Sequence, residues 1–211
     1  MIENSFYVFG NKKLMEREKV NVDQFAKDME KLENEGKTVM MLAGGGKMMA
    51  FIAVADMIKE SAKEGIELLH KMGIKTVMIT GDNKRTANAI ASKLGIETVL
   101  AEVLPDQKDK AVRELQKEGK HIAMVGDGIN DAPALASANV GIAMGSGTDV
   151  AMEAANITLI NKDIRSIAAA INLSKQTMRT IRINLFWAFG YNIILIPVAM
   201  GVLYPFWNIL L

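Results

Sequence analysis

Hydrophobic and polar positions change rhythm several times along the chain, and each change predicts an element. Phe6 to Phe9 is short, aromatic and β-prone, and Gly10-Asn11 closes it with a turn. Between Asp23 and Glu35, Phe25, Met29 and Leu32 recur on one face of a charged stretch, which predicts an amphipathic helix stopped by Gly36. Thr38 to Ala43 and Met48 to Ala55 are apolar runs around Gly44-Gly45-Gly46-Lys47, a hairpin pattern. A helix then opens at Asp56 and runs to about Met72.

From there strands and helices alternate. Gly73 to Ile79 leads to a helix from Lys84 to Leu94, and Val99 to Leu104 leads through Pro105 to a helix ending near Glu118. Ile122 to Val125 precedes a helix beginning after Asp131, and Val140 to Met144 and Ile157 to Ile160 complete the strands. This alternation predicts a doubly wound α/β fold with parallel strands and right-handed crossovers.

The tail has another rhythm. A helix starts at Ile164, and after Arg182 no charged residue occurs through Leu211. Residues 184–203 supply about the 20 apolar positions needed to cross a hydrocarbon core of roughly 30 Å. Arg165, Lys175, Arg179 and Arg182 precede the span against Asp163 alone, which places the entry side in the cytoplasm. Trp187 and Tyr204 are interface anchors; Tyr204-Pro205 breaks the helix, and Phe206 to Leu211 reads as the start of a second crossing.

Composition narrows the picture. The 211 residues suffice for one domain with a real core and a small appendage. Lys and Arg total 25 against 24 Asp and Glu, a net charge of +1 that gives no footing for nucleic acid. With no cysteine, neither a disulfide framework nor a thiolate metal site exists in the chain. The N-terminus has no basic and apolar signal-peptide pattern. The 15 methionines read as flexible core fillers.

Three turns carry candidate chemistry. In Gly126-Asp127-Gly128-Ile129-Asn130-Asp131, two carboxylates and an amide flank a turn between a strand and a helix. Such oxygen ligands suit Mg²⁺, which takes one or two carboxylates plus phosphate oxygens. The same letters also describe an ordinary turn with Asp131 as helix cap. In Thr80-Gly81-Asp82-Asn83, a hydroxyl and a backbone amide at a helix N-terminus are placed for a phosphoryl oxygen, with Asp82 orienting the loop or capping the helix. Lys108 lies in the first turn of its helix, where a cation opposes the dipole unless it faces an anion. Gly44-Gly45-Gly46-Lys47 is a turn; it lacks phosphate-loop glycine spacing, and Met48 stands where Ser or Thr is required.

Met124-Val-Gly-Asp-Gly-Ile-Asn-Asp-Ala-Pro-Ala-Leu135 resembles the hinge motif of P-type cation-transporting ATPases, whose phosphorylation domain belongs to the haloacid-dehalogenase superfamily, and Thr80 to Asn83 matches a second signature. The resemblance covers nearly the whole chain, and within the family it is nearest the C-terminal part of copper pumps. It implies that residues 1–50 end a nucleotide-binding domain and residues 51–162 form the phosphorylation domain. Residues 163–211 are then a basic helix leading into the membrane.

The resemblance also implies roles. Gly10 and Asn11 would border adenine and ribose of ATP; Thr80, Gly81 and Lys108 would hold the phosphoryl group, with Asp82 and Asn130 supporting. Asp127 and Asp131 would hold Mg²⁺. Asp56 marks re-entry into the phosphorylation domain without being the phosphorylated residue. Tyr191 and Asn192 correspond to a pair in the transmembrane Cu⁺ site, although an amide at that depth also serves interhelical hydrogen bonding. The implied function is ATP-driven export of a heavy-metal cation, most like Cu⁺, through an aspartyl phosphate. The setting would be a multi-pass pump in the cell membrane with a cytoplasmic phosphorylation domain. Its partners would be lipid, a metallochaperone or the rest of the pump.

No Asp-Lys-Thr-Gly-Thr segment occurs here, so the chain is expected to lack the phosphorylated aspartate and to be inactive alone. A non-catalytic membrane-anchored protein and a soluble phosphatase of the superfamily are the alternatives.

Overall fold

The structure, a computed structural model, describes residues 6–55, 57–145 and 149–200. Two compact units divide it, Met1–Ser166 and Ile167–Leu211.

In the first unit, β1 (Tyr7–Gly10), β2 (Thr38–Gly44) and β3 (Lys47–Val54) form an antiparallel sheet in that order. Gly45 and Gly46 make the β2–β3 turn at φ +58° and +76°, the left-handed pair a two-residue hairpin requires. Period-two alternation in β2 sends Val39, Met41 and Ala43 into a core with Met15, Val20, Val22 and Met29. Met29 comes from α2 (Ala26–Asn34), the amphipathic helix expected between Asp23 and Glu35, with its first turn 3₁₀.

Gly10-Asn11 is not only a turn. It opens a short helix, α1 (Lys12–Arg17), capped by the Asn11 side chain, which accepts from the Leu14 amide at 3.0 Å. A Cβ at Gly10 would lie 2.4 Å from Leu14 Cδ2, so the leucine tip packs where a larger residue would make it shift.

The alternating part matches the α/β expectation with shifted boundaries. α3 spans Glu60–Lys71, starting later than expected, and Asp56 lies outside the described residues. β4 is confined to Val77–Ile79, because Gly73 (φ +77°) and the Ile74 amide, bonded to the Leu69 carbonyl, are used to close α3. α4 (Lys84–Leu94) agrees with the expected span. β5 (Thr98–Leu100) stops early where Glu102 takes φ +58°. α5 (Lys108–Lys117), β6 (Ala123–Gly126), α6 (Ala132–Ser137), β7 (Val140–Met144), α7 (Asp149–Ala154) and β8 (Ile157–Leu159) follow.

All pairings among β4 to β8 are parallel. They fall into two hydrogen-bonded groups among the described residues, β4-β5 and β6-β7-β8. Ile79 of β4 packs on the cluster of Val112, Met124, Ala134 and Leu135.

The second unit is formed by α8 (Arg165–Ala199), whose first residues belong to the first unit. Among the described residues it is the helix long and apolar enough to cross a membrane. Phe186, Trp187 and Ile193 lie exposed along it. The Asn192 amide donates to the Ala188 carbonyl at 2.8 Å, so its hydrogen bond is made within its own helix. Pro197 lies inside the helix. Tyr204, Pro205 and the proposed second crossing lie outside the described residues, as do residues 146–148.

Candidate functional site

The turn after β4 is tied internally. Thr80 Oγ1 donates to Asp82 Oδ2 at 2.9 Å, and the Asp82 amide donates back to Thr80 Oγ1 at 3.2 Å. Asn83, not Asp82, caps α4, accepting from the Thr86 amide at 3.0 Å. Of the two roles open to Asp82, the geometry gives it the orienting one. Gly81 is exposed, and the nearest atom a Cβ would meet is the Val103 carbonyl oxygen at 3.5 Å.

The loop after β5 is pinned to this turn. The Glu102 amide donates to the Asp82 carbonyl at 2.9 Å, and the Val103 amide to the Thr80 carbonyl at 3.0 Å. Two residues on, the 3₁₀ turn Pro105–Gln107 delivers Lys108 next to the turn Ile129–Asp131. Lys108 Nζ donates to Asp131 Oδ1 at 2.6 Å, with the side chains 20% and 12% exposed.

That contact explains two sequence features. Lys108, awkward for its helix dipole, faces an anion of its own chain. Asp131 stands at the cap position of α6 but makes no side-chain cap bond, which corrects the capping expectation; its carboxylate is committed to Lys108. Gly126 permits this fold-back, since a Cβ there would fall 2.6 Å from Asp131 Cβ.

Asp127 and Asn130 are exposed on the same turn. Asp127 Oδ2 accepts from Lys162 Nζ at 2.8 Å. Lys162 follows β8 and escaped the sequence reading. The available signal was its place just past the carboxyl end of a parallel strand, the edge where such sheets present ligands.

A second feature is a cleft of about 620 Å³ lined by Asn11, Lys12, Gly81, Asp82, Asn83 and Lys84, among others. It joins the β1–α1 corner to the turn after β4. Lys108, Asp127 and Asp131 are not in its lining, nor is Gly10. The structure therefore brings Asn11 together with Gly81 and Asp82, and Lys108 together with Asp131. The pinned loop between them connects the two sets. Tyr191 and Asn192 belong to the other unit.

Among the described residues no three Asp, Glu or His side chains converge as a metal cage. Asp127 on an exposed turn fits Mg²⁺ nonetheless, because that ion takes one or two carboxylates and fills its remaining positions with water and phosphate.

At the root of α8, Arg165 donates to Asp163 at 2.7 Å and to Glu64 at 2.8 Å. The hydrogen bonds from Arg165 hold the Asp163 carboxyl below its usual range, and the same partners raise the guanidinium.

The chain is similar to known proteins over most of its length. A copper-exporting P-type ATPase of Staphylococcus haemolyticus is 52% identical over 206 residues, covering 97% of this chain and 26% of that protein. One of Bacillus subtilis is 53% identical over 197 residues, covering 93% of this chain and 25% of that protein. The chain thus spans about a quarter of the length of the curated relatives it matches. A zinc-transporting PIB-type ATPase crystallised in an E2.Pi state superposes with a TM-score of 0.72 at 37% identity, over 95% of this chain and 32% of that one. The model for haloacid dehalogenase-like hydrolases matches residues 4–139, and with its parallel strands and acidic turn the chain belongs to that family.

Proposed function

We propose that this chain is the phosphoryl-handling and membrane-entry part of an ATP-driven heavy-metal pump, with Cu⁺ as cargo. The observation that carries the reading is the Lys108–Asp131 pair beside Asp127, tied through residues 102–104 to the Thr80–Asp82 turn. The loop after β5 touches the Thr80–Asp82 turn and, through Lys108, the Asp127–Asp131 turn, and this adjacency supports a phosphoryl-transfer site assembled from separate strand ends.

Thr80 Oγ1, the Gly81 amide and Lys108 Nζ bind the phosphoryl oxygens, and Asp82 holds the Thr80 hydroxyl in place. The open space at Gly81 supports close approach of a ligand to the backbone. Asp127, with Asp131 and Asn130 on the same turn, would hold Mg²⁺, whose charge offsets that of the phosphoryl group. Asn11 lines the far side of the cleft, where ATP would enter, with Gly10 preceding it in the chain; residues 1–50 are then the end of a nucleotide-binding domain and residues 51–162 the phosphorylation domain. Catalysis is positioning and charge neutralisation.

In the longer protein the phosphoryl group would pass to an aspartate that this sequence lacks and then to water. Residues 163–211 would enter the membrane from the cytoplasm, with Tyr191 and Asn192 facing the Cu⁺ path. The copper-pump names of the relatives support the cargo.

Phosphate binding tests the reading. ³¹P NMR of the purified chain should show Mg²⁺-dependent binding of inorganic phosphate that Thr80→Ala and Lys108→Ala weaken at least tenfold (about 1.4 kcal/mol). Equal binding by all three proteins refutes the site. The chain alone should show no steady-state ATPase turnover; turnover abolished by Asp127→Ala would refute that part.

A further inference from the structure

We infer that Lys162 is a displaceable stand-in for the divalent cation at Asp127, so that metal arrival at the acidic turn frees Lys162, one of two clasps on the segment leading into α8. The inference rests on the proposed Mg²⁺ role of Asp127. Lys162 Nζ lies 2.8 Å from Asp127 Oδ2, closing a gap of 35 residues. Its stem is seated: a Cβ at Gly145 would fall 2.6 Å from Lys162 Cγ and 2.8 Å from Cε, so the glycine at φ +76° leaves the channel along which the lysine reaches the turn. The Gly145 amide is in turn bonded to the Leu159 carbonyl at 2.7 Å, which fixes that channel against the end of β8.

A cation inside hydrogen-bond distance of one carboxylate oxygen and a Mg²⁺ bound to the same carboxylate repel each other. The pair is half exposed, so its own strength is small and a divalent ion can replace it. Lys162 stands immediately before Asp163, whose carboxylate holds Arg165, the first residue of α8. Behind them Ile164 and the Arg165 amide lie against Gly65 of α3, where a Cβ would clash at 2.7 and 2.9 Å. The segment 162–165 is thus clasped at two ends, to the acidic turn by Lys162 and to Glu64 by Arg165. Occupancy of Asp127 by metal opens the first clasp and leaves the second.

The test uses the full chain in detergent micelles, with Mn²⁺ as probe and electron paramagnetic resonance reporting the bound fraction. Lys162→Gln should bind Mn²⁺ about three- to tenfold more tightly than the parent at low salt, as removal of one nearby charge implies. The advantage should shrink near 1 M salt. Lys162→Arg should bind as the parent does. Acetylation of Lys162 by acetic anhydride, read by mass spectrometry, should rise when Mg²⁺ is added. Unchanged or weaker binding by Lys162→Gln, with binding still lost in Asp127→Asn, overturns the inference and leaves the metal role of Asp127 standing. Binding indifferent to Asp127→Asn overturns both.

Discussion

Lys108 and Asp131, 23 residues apart in the chain, meet at 2.6 Å where the start of one helix faces the start of another. Each is out of place in its own element, and each is explained by the other. Removing the lysine alone leaves a largely buried carboxylate without its partner. Lys108→Met should therefore destabilise the first unit by about 1–3 kcal/mol. The double variant Lys108→Met, Asp131→Leu should recover part of the loss. Urea unfolding followed by circular dichroism measures both.

Gly126 stands under the same carboxylate. Gly126→Ala should cost about 1–3 kcal/mol, because the new methyl has to displace Asp131 Cβ from 2.6 Å. The same substitution should weaken phosphate binding in the NMR titration. Alanine at Gly128, where a Cβ meets nothing within 4 Å, is the control and should do neither.

Thr86 is fully buried and holds α4 to the start of β2: its hydroxyl donates to the Lys37 carbonyl at 2.9 Å and accepts from the Asn83 amide at 3.0 Å. Thr86→Val keeps the shape, takes the hydroxyl from the Lys37 carbonyl and leaves Asn83 Nδ2 with Glu33 alone, so a loss of about 1–3 kcal/mol is expected. Thr86→Ser, keeping the hydroxyl, should lose less. Thermal midpoints of the two variants decide it.

Acid should loosen the root of α8 before it unfolds the unit. Arg165 lowers the Asp163 carboxyl below its ordinary value of 3.8, so the contact adds stability above that value and loses it as pH falls through the lower folded one. The protection of the Arg165 amide relative to its intrinsic exchange rate, its N–H donating to Asp163 Oδ1 at 2.9 Å, should fall in that acidic range. In Asp163→Asn that protection should be low throughout and show no such step.

Much of this is legible in the sequence. Strong periodicity located α2 and α4, and the paired glycines at 45 and 46 gave the hairpin. The α/β alternation gave parallel strands. What escaped were short-range choices with weak signals. α1 is six residues long and rests on one cap, and strand ends at Val77 and Leu100 depend on backbone turns at Gly73 and Glu102. Long-range ion pairs were harder still. No spacing rule ties Lys108 to Asp131 or Lys162 to Asp127, because the fold alone makes them neighbours. Asp131 illustrates the cost of local reasoning: its position is a cap's, while its carboxylate answers to a partner far along the chain.

Pro197 has no amide hydrogen to give back to Ile193, one residue past Asn192. That turn of α8 therefore keeps a bare oxygen dipole in a stretch otherwise rich in aliphatic side chains. Hydrocarbon offers it no proton and no charge, so this side of the rod has to look toward protein, water or a passing ion. Were α8 to cross a bilayer, the Ile193 carbonyl would call for a partner from protein, water or a local adjustment of the helix.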